Sequence, residues 1–113
     1  MQSTFAARLK EGMELNDMTQ ARLARLVGID KATINNYVHG KYKATQQNLY
    51  KLAVALNVSE SWLMGFDCEK DRVIALTDEQ TELLKMYMLL NGAGRVRLLA
   101  IAYQLVEQQN GGK

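Results

Sequence analysis

Between Thr19 and Gly40 the sequence sets two short stretches with helical periodicity almost end to end, and few folds accept that spacing. In the first, Thr19 offers a hydroxyl to cap a helix whose inner face is Leu23, Ala24, Leu26 and Val27, and Gly28 stops it. Asp30 stands as a second N-cap, and Lys31 to His39 form the next helix with Ile34 and Tyr37 inward until Gly40 ends it. Only Ile29 and its neighbours separate the two. Such a pair folds so that the second helix crosses the first and leaves its outer face free. A small residue is needed at the crossing (Ala24), a permissive one in the turn (Gly28) and an apolar one returning to the core (Ile34). The alternative is a generic helical hairpin, which has no need of all three.

The surrounding sequence supplies the remaining elements of an all-helical domain. Phe5, Leu9 and Met13 recur every four residues and mark a first helix ending near Asn16. After the basic loop Lys41-Tyr42-Lys43, Thr45 opens a fourth helix with Leu49, Leu52, Ala53 and Leu56 as its stripe, and Asn57 is suited to a left-handed stop. Ser59 caps a fifth, short helix carrying Trp62, Leu63 and Met64. Residues 1–66 are therefore expected to be one five-helix domain and residues 67–76, charged and aperiodic, a linker.

A second unit is expected over 77–113. Thr77 and Gln80 have capping-box spacing, and Asp78 and Glu79 suit a helix start. Leu83, Leu84, Tyr87 and Leu90 carry that helix to Asn91-Gly92, and Val96 to Val106 make another. Gly92-Ala93-Gly94 reads as the turn of a helical hairpin and Gln108 to Lys113 as a frayed end. The last helix is apolar nearly all round, more than one partner helix can cover. A homodimer interface is expected at Leu83, Leu84, Tyr87, Leu90, Val96, Leu99, Ala102, Tyr103 and Val106, the alternative being that this unit folds back on the first domain.

Composition excludes several classes. The 113 residues leave no room for separate cofactor and substrate domains. One cysteine, Cys68, and one histidine, His39, cannot form a zinc cluster, so neither metal nor cofactor is expected. No membrane span or secretory signal is apparent, which points to a cytoplasmic protein. Residues 67–113 contain no serine for a self-cleaving protease, so no enzymatic activity is expected. Residues 1–66 carry eight Lys/Arg against five Asp/Glu, a mild lean toward a nucleic-acid partner.

With these elements placed, the run from Thr19 through Gly40-Lys41, with Leu49 to Ser59 and Trp62 to Gly65, resembles the Xre family, the Cro and phage-repressor type of helix-turn-helix. The resemblance covers roughly residues 3–66 and implies a lambda-repressor-like domain binding double-stranded DNA. It implies base reading by Lys31, Ala32, Asn35 and Asn36. Lysine can donate to guanine, asparagine can bond adenine bidentately, and alanine can touch a thymine methyl. Gln20 takes the family's phosphate position at a helix start, and Thr33, His39, Lys41, Tyr42 and Lys43 are placed to hold the backbone. Three residues depart from the pattern. Asp30 replaces a hydroxyl cap and brings a carboxylate to the DNA surface, Ala44 stands where proline is frequent, and His39 where asparagine is common. The function implied is a homodimeric regulator, a repressor at a palindromic operator. The alternative is an antitoxin that neutralises a partner protein through its C-terminal helices and controls its own operon.

Overall fold

The computed structural model describes residues 4–72 and 75–111. The chain divides into two compact units, Met1–Val73 and Ile74–Lys113. Among the described residues there are seven α-helices: α1 Phe5–Leu15, α2 Gln20–Val27, α3 Lys31–Val38, α4 Gln46–Leu56, α5 Glu60–Leu63, α6 Asp78–Leu89 and α7 Gly92–Gly111.

The first unit is the expected five-helix domain. Leu9, Leu23, Ile34, Leu52, Leu56 and Leu63 are fully buried, one or two from each helix, and each contributes about 2 kcal/mol by leaving water. α1 packs on α3 and α5, α2 on α3 and α4, and α4 on α5. Phe5 meets Tyr37 edge to face at 5.5 Å between centroids, closing α1 over α3. Asn16, at the end of α1, donates its amide to the carbonyls of Gly12 at 2.8 Å and Leu56 at 2.9 Å, tying α1 to the end of α4.

Helix starts and stops follow two recurring devices. Thr4, Thr19, Thr45 and Ser59 each accept from the backbone N–H three residues on, satisfying a donor the helix leaves open. The five helices end alike: Asp17, Gly28, Gly40, Asn57 and Gly65 have positive φ, and the N–H of the following residue reaches back five residues to a carbonyl. These bonds run from Met18 to Met13, Ile29 to Ala24, Lys41 to Asn36, Val58 to Ala53 and Phe66 to Ser61, at 2.9 to 3.2 Å. This is the Schellman closure, and it turns the chain sharply with little loss of length, which is how five helices fit before residue 66.

Asp30 does not cap α3. It occupies the N-cap position, but its side chain makes no capping hydrogen bond. Its carboxylate stays at the exposed surface instead.

The stretch read as a linker differs in its middle. After Gly65 the chain returns to α5: Val58 and Asp71 form an antiparallel bridge, the Ser59 N–H bonds the Lys70 carbonyl at 2.7 Å, and the Ser59 hydroxyl donates to the Glu69 carbonyl at 2.9 Å. Arg72 then donates to the Val58 carbonyl and pairs with Glu60. A charged stretch without periodicity is thus held by its polar groups, which a search for apolar stripes does not register. Residues 73 and 74, which complete the expected linker with 75 and 76, include none of the described positions.

In the second unit the Thr77–Gln80 capping box is complete in both directions, at 2.9 and 3.1 Å. Gly92-Ala93-Gly94 is not a turn but the first turn of α7, because the Asn91 side chain accepts from the Gly94 N–H at 2.9 Å and supplies the cap. The helix continues through the segment expected to fray, as far as Gly111. Neither α6 nor α7 buries a side chain, and the two make little contact beyond their junction. At that junction Arg95 donates to the carbonyls of Tyr87 and Met88, both at 3.0 Å, with its guanidinium carbon 5.1 Å from the Tyr87 ring centre.

Candidate nucleic-acid interface

α3 has two faces with opposite destinations. Ile34, Tyr37 and Val38 are buried in the core, and the Tyr37 hydroxyl accepts from the Asn48 amide at 3.0 Å, so the helix cannot rotate without breaking a polar contact as well as an apolar one. On the other side lie Lys31, Ala32, Asn35 and Asn36. At about 100° per residue these four share an arc of roughly 140°. The first three are exposed and Asn36 is half-buried, toward the edge of the arc. Two carboxamides, an ammonium and a methyl on one rigid surface form a set of groups suited to base edges in a major groove about 12 Å wide.

α2 fixes the angle at which this face is offered. Ala24 is buried and small on α2, which packs on α3, and Gly28, at φ +69°, makes the turn. Gln20 is the first residue of α2 and half-buried, beside N–H groups of which the Thr19 hydroxyl takes the one from Arg22. The rest remain available to an oxygen ligand at the positive end of the helix.

Beyond α3 the Schellman closure at Gly40 sends Lys41, Tyr42 and Lys43 into an exposed loop. Tyr42 is 61% exposed, more than packing would leave it, and its ring and hydroxyl are free to meet a ribose or phosphate. His39 is committed in part: its Nδ1 lies 2.8 Å from the Asn35 carbonyl. A carbonyl only accepts, so Nδ1 carries the proton and only Nε2 is left for an outside partner. Thr33 is half-buried at the far edge of the face from Lys31. The base-facing group therefore forms one surface on α3, while Gln20 on α2 and the 41–43 loop stand outside that surface.

Sequence reasoning passed over two residues that hold this frame. Arg8 donates to the Trp62 carbonyl at 3.0 Å across 54 positions, and Arg72 reaches Val58 and Glu60. Their only signal was an arginine on an otherwise ordinary helix or loop, which is shared by every arginine in the chain.

A buried, tightly turned helix pair offering α3 outward defines a helix-turn-helix domain. Residues 9–63 of the chain match the helix-turn-helix family model. Among its relatives, the HTH-type transcriptional regulator PrtR of Pseudomonas aeruginosa is 40% identical over 60 residues, which is 53% of this chain and 23% of that protein. The HTH-type transcriptional regulators for the conjugative elements R391 of Providencia rettgeri and SXT of Vibrio cholerae are each 35% identical over 66 residues, covering 58% of this chain and 30% of theirs. The matches thus span less than a third of these relatives. The crystal structure of a transcriptional regulator from Listeria innocua shares the fold with a TM-score of 0.52 at 19% identity, over 96% of this chain and 97% of that one.

Proposed function

We propose that the chain is a sequence-specific regulator of transcription that binds an inverted-repeat operator as a homodimer and represses by occupying a promoter. The observation that carries this reading is the exposed set Lys31, Ala32 and Asn35, with Asn36 at its edge, on a helix whose opposite face is locked in the core. In this reading those four residues read bases, while Gln20, Thr33, His39, Lys41, Tyr42 and Lys43 contact phosphates and fix register. One α3 spans few base pairs, so useful specificity calls for two copies on half-sites about 34 Å apart. The apolar residues left exposed on α6 and α7 support that pairing. A regulator of this kind acts where the chromosome is, in the cytoplasm.

Selection of binders from a library of random duplexes tests the reading. The expected result is a palindromic site, bound at least a thousandfold more tightly than random DNA at physiological salt. A solitary site, or binding without sequence preference that fades uniformly with salt, would overturn it. The same exposed helices support a second reading, an antitoxin whose C-terminal unit seizes another protein. It would be favoured if the purified chain is monomeric and weak on DNA.

A further inference from the structure

The homodimer proposed above leaves open which surfaces meet, and the second unit constrains the answer. Ten large apolar side chains on α6 and α7 are 40% or more exposed, among them Leu89 at 82% and Val96 at 71%. Of these, Leu99 at 46% and Leu105 at 60% share one side of α7 with the exposed Ala102, beside the half-buried Leu98 and Val106.

The hairpin cannot cover this surface by closing on itself. Both helices advance about 1.5 Å per residue from a junction at Leu90 and Asn91, so folding α7 onto α6 sets Leu83 opposite residue 98. Leu83 is the first large apolar residue of α6; before it come Asp78, Glu79, Gln80, Thr81 and Glu82. Leu99 to Tyr103 would then face the polar run from Glu82 back to Asp78, with Glu79 opposite Ala102. The junction is also built to stay open. Asn91 caps α7, Arg95 holds the last carbonyls of α6, and a Cβ at Gly94 would come within 3.1 Å of the Leu90 side chain.

What remains has an internal symmetry. Counting from Ala102, the positions three and four residues before it are Leu99 and Leu98, and those three and four after it are Leu105 and Val106. On a helix these five lie on one face, with the small residue at its centre. A face that reads alike in both directions about a small residue matches an antiparallel copy of itself, the condition an isologous twofold contact imposes.

We propose that α7 crosses the α7 of a second copy antiparallel, with the twofold axis at Ala102, so that Leu98 and Leu99 of each copy meet Leu105 and Val106 of the other. Alanine at the axis lets the backbones approach closely enough for two Cβ atoms to face each other.

The test is disulfide trapping in full-length protein carrying Cys68→Ser, which removes the exposed native thiol. Ala102→Cys places a thiol at the proposed axis, where the Cβ atoms lie within reach of a disulfide. Gln104→Cys, two residues on and on the polar side of α7, is the control. Mild oxidation is expected to give covalent dimer at least tenfold faster from Ala102→Cys, and Ala102→Glu is expected to weaken association at least tenfold by sedimentation, with helical content retained. Equal trapping from both cysteines in a protein that sediments as a dimer would overturn the crossing and leave the dimer standing. A monomer at all concentrations would overturn both.

Discussion

Arg8 lies over the indole of Trp62, its guanidinium carbon 4.5 Å from the ring centroid, and the same group donates to the Trp62 backbone carbonyl at 3.0 Å. α5 is only four residues long and cannot hold its place by helical hydrogen bonds. The arginine joins it to α1 by a cation–π contact and a hydrogen bond, each worth about 1 kcal/mol. Arg8→Ala is expected to lower stability by about 1–2 kcal/mol, a fall of roughly 4–15 °C in Tm for a domain of this size. Arg8→Lys should recover part of the loss, since it keeps the cation but not the planar donor. Thermal unfolding followed by Trp62 fluorescence measures both, and an unchanged Tm in Arg8→Ala would show that α5 is held by its apolar contacts alone.

The base-reading and phosphate roles proposed for the first unit separate in a salt titration. Asn36→Ala removes a bidentate donor–acceptor pair from the α3 face and is expected to cost about 1–3 kcal/mol on the selected operator and almost nothing on random DNA. Lys43→Ala, in the exposed loop after α3, should weaken binding to both alike and reduce the slope of log K against log salt by about one. The reverse pattern would move the specificity out of α3.

Asp17 closes α1 at φ +52°, in the left-handed region that a side chain enters at a cost. Gly28 and Gly40 do the same task without a Cβ. Asp17→Gly is therefore expected to stabilise the domain by a few tenths to about 1 kcal/mol, and Asn57→Ala, at φ +57°, to destabilise it by about 1 kcal/mol. Urea unfolding of the two variants is the measurement; a loss of stability in Asp17→Gly would mean that the Asp17 side chain contributes more than its backbone strain costs.

Features that rest on neighbours in sequence were readable from it. Thr19, Thr45, Ser59 and Thr77 cap because a hydroxyl three residues before an open N–H needs nothing else, and Leu49, Leu52, Ala53 and Leu56 bury because their spacing puts them on one face. Asp30 has the right chemistry for a cap but its carboxylate makes no capping bond, which residue type does not encode. Asn91 suits the end of α6 as well as the start of α7, because an Asn-Gly pair serves either, and only the bond from the Gly94 N–H decides. The reach of Arg8 and the return of residues 69–72 to α5 depend on where other helices lie. Lys31, Ala32, Asn35 and Asn36 were named through the family resemblance, and helical spacing puts them on one side of α3; the commitment of His39 Nδ1 to Asn35 had no signal in the sequence.

Arg95 sets the geometry of the α6–α7 junction from a position eight residues beyond the carbonyl it bonds. Its Nε donates to the Tyr87 carbonyl, which also accepts from the Leu90 N–H at 3.3 Å, and its Nη2 to the Met88 carbonyl, one of the groups a helix leaves open at its C-terminus, while the Tyr87 ring lies beneath the guanidinium. Arg95→Ala would leave the Met88 carbonyl to water and the Tyr87 carbonyl to the Leu90 N–H alone, and free the junction to bend, at a local cost of about 1–3 kcal/mol. The expected outcome is faster amide exchange in the last turn of α6 and the first turn of α7, with protection in α1 to α5 unchanged, because the two units have separate sets of internal contacts. Arg95→Lys should sit between wild type and alanine, since one ammonium can serve one carbonyl well but not both with the ring. Exchange that rises across the whole chain would instead mean that the junction is part of the same cooperative unit as the helix-turn-helix domain.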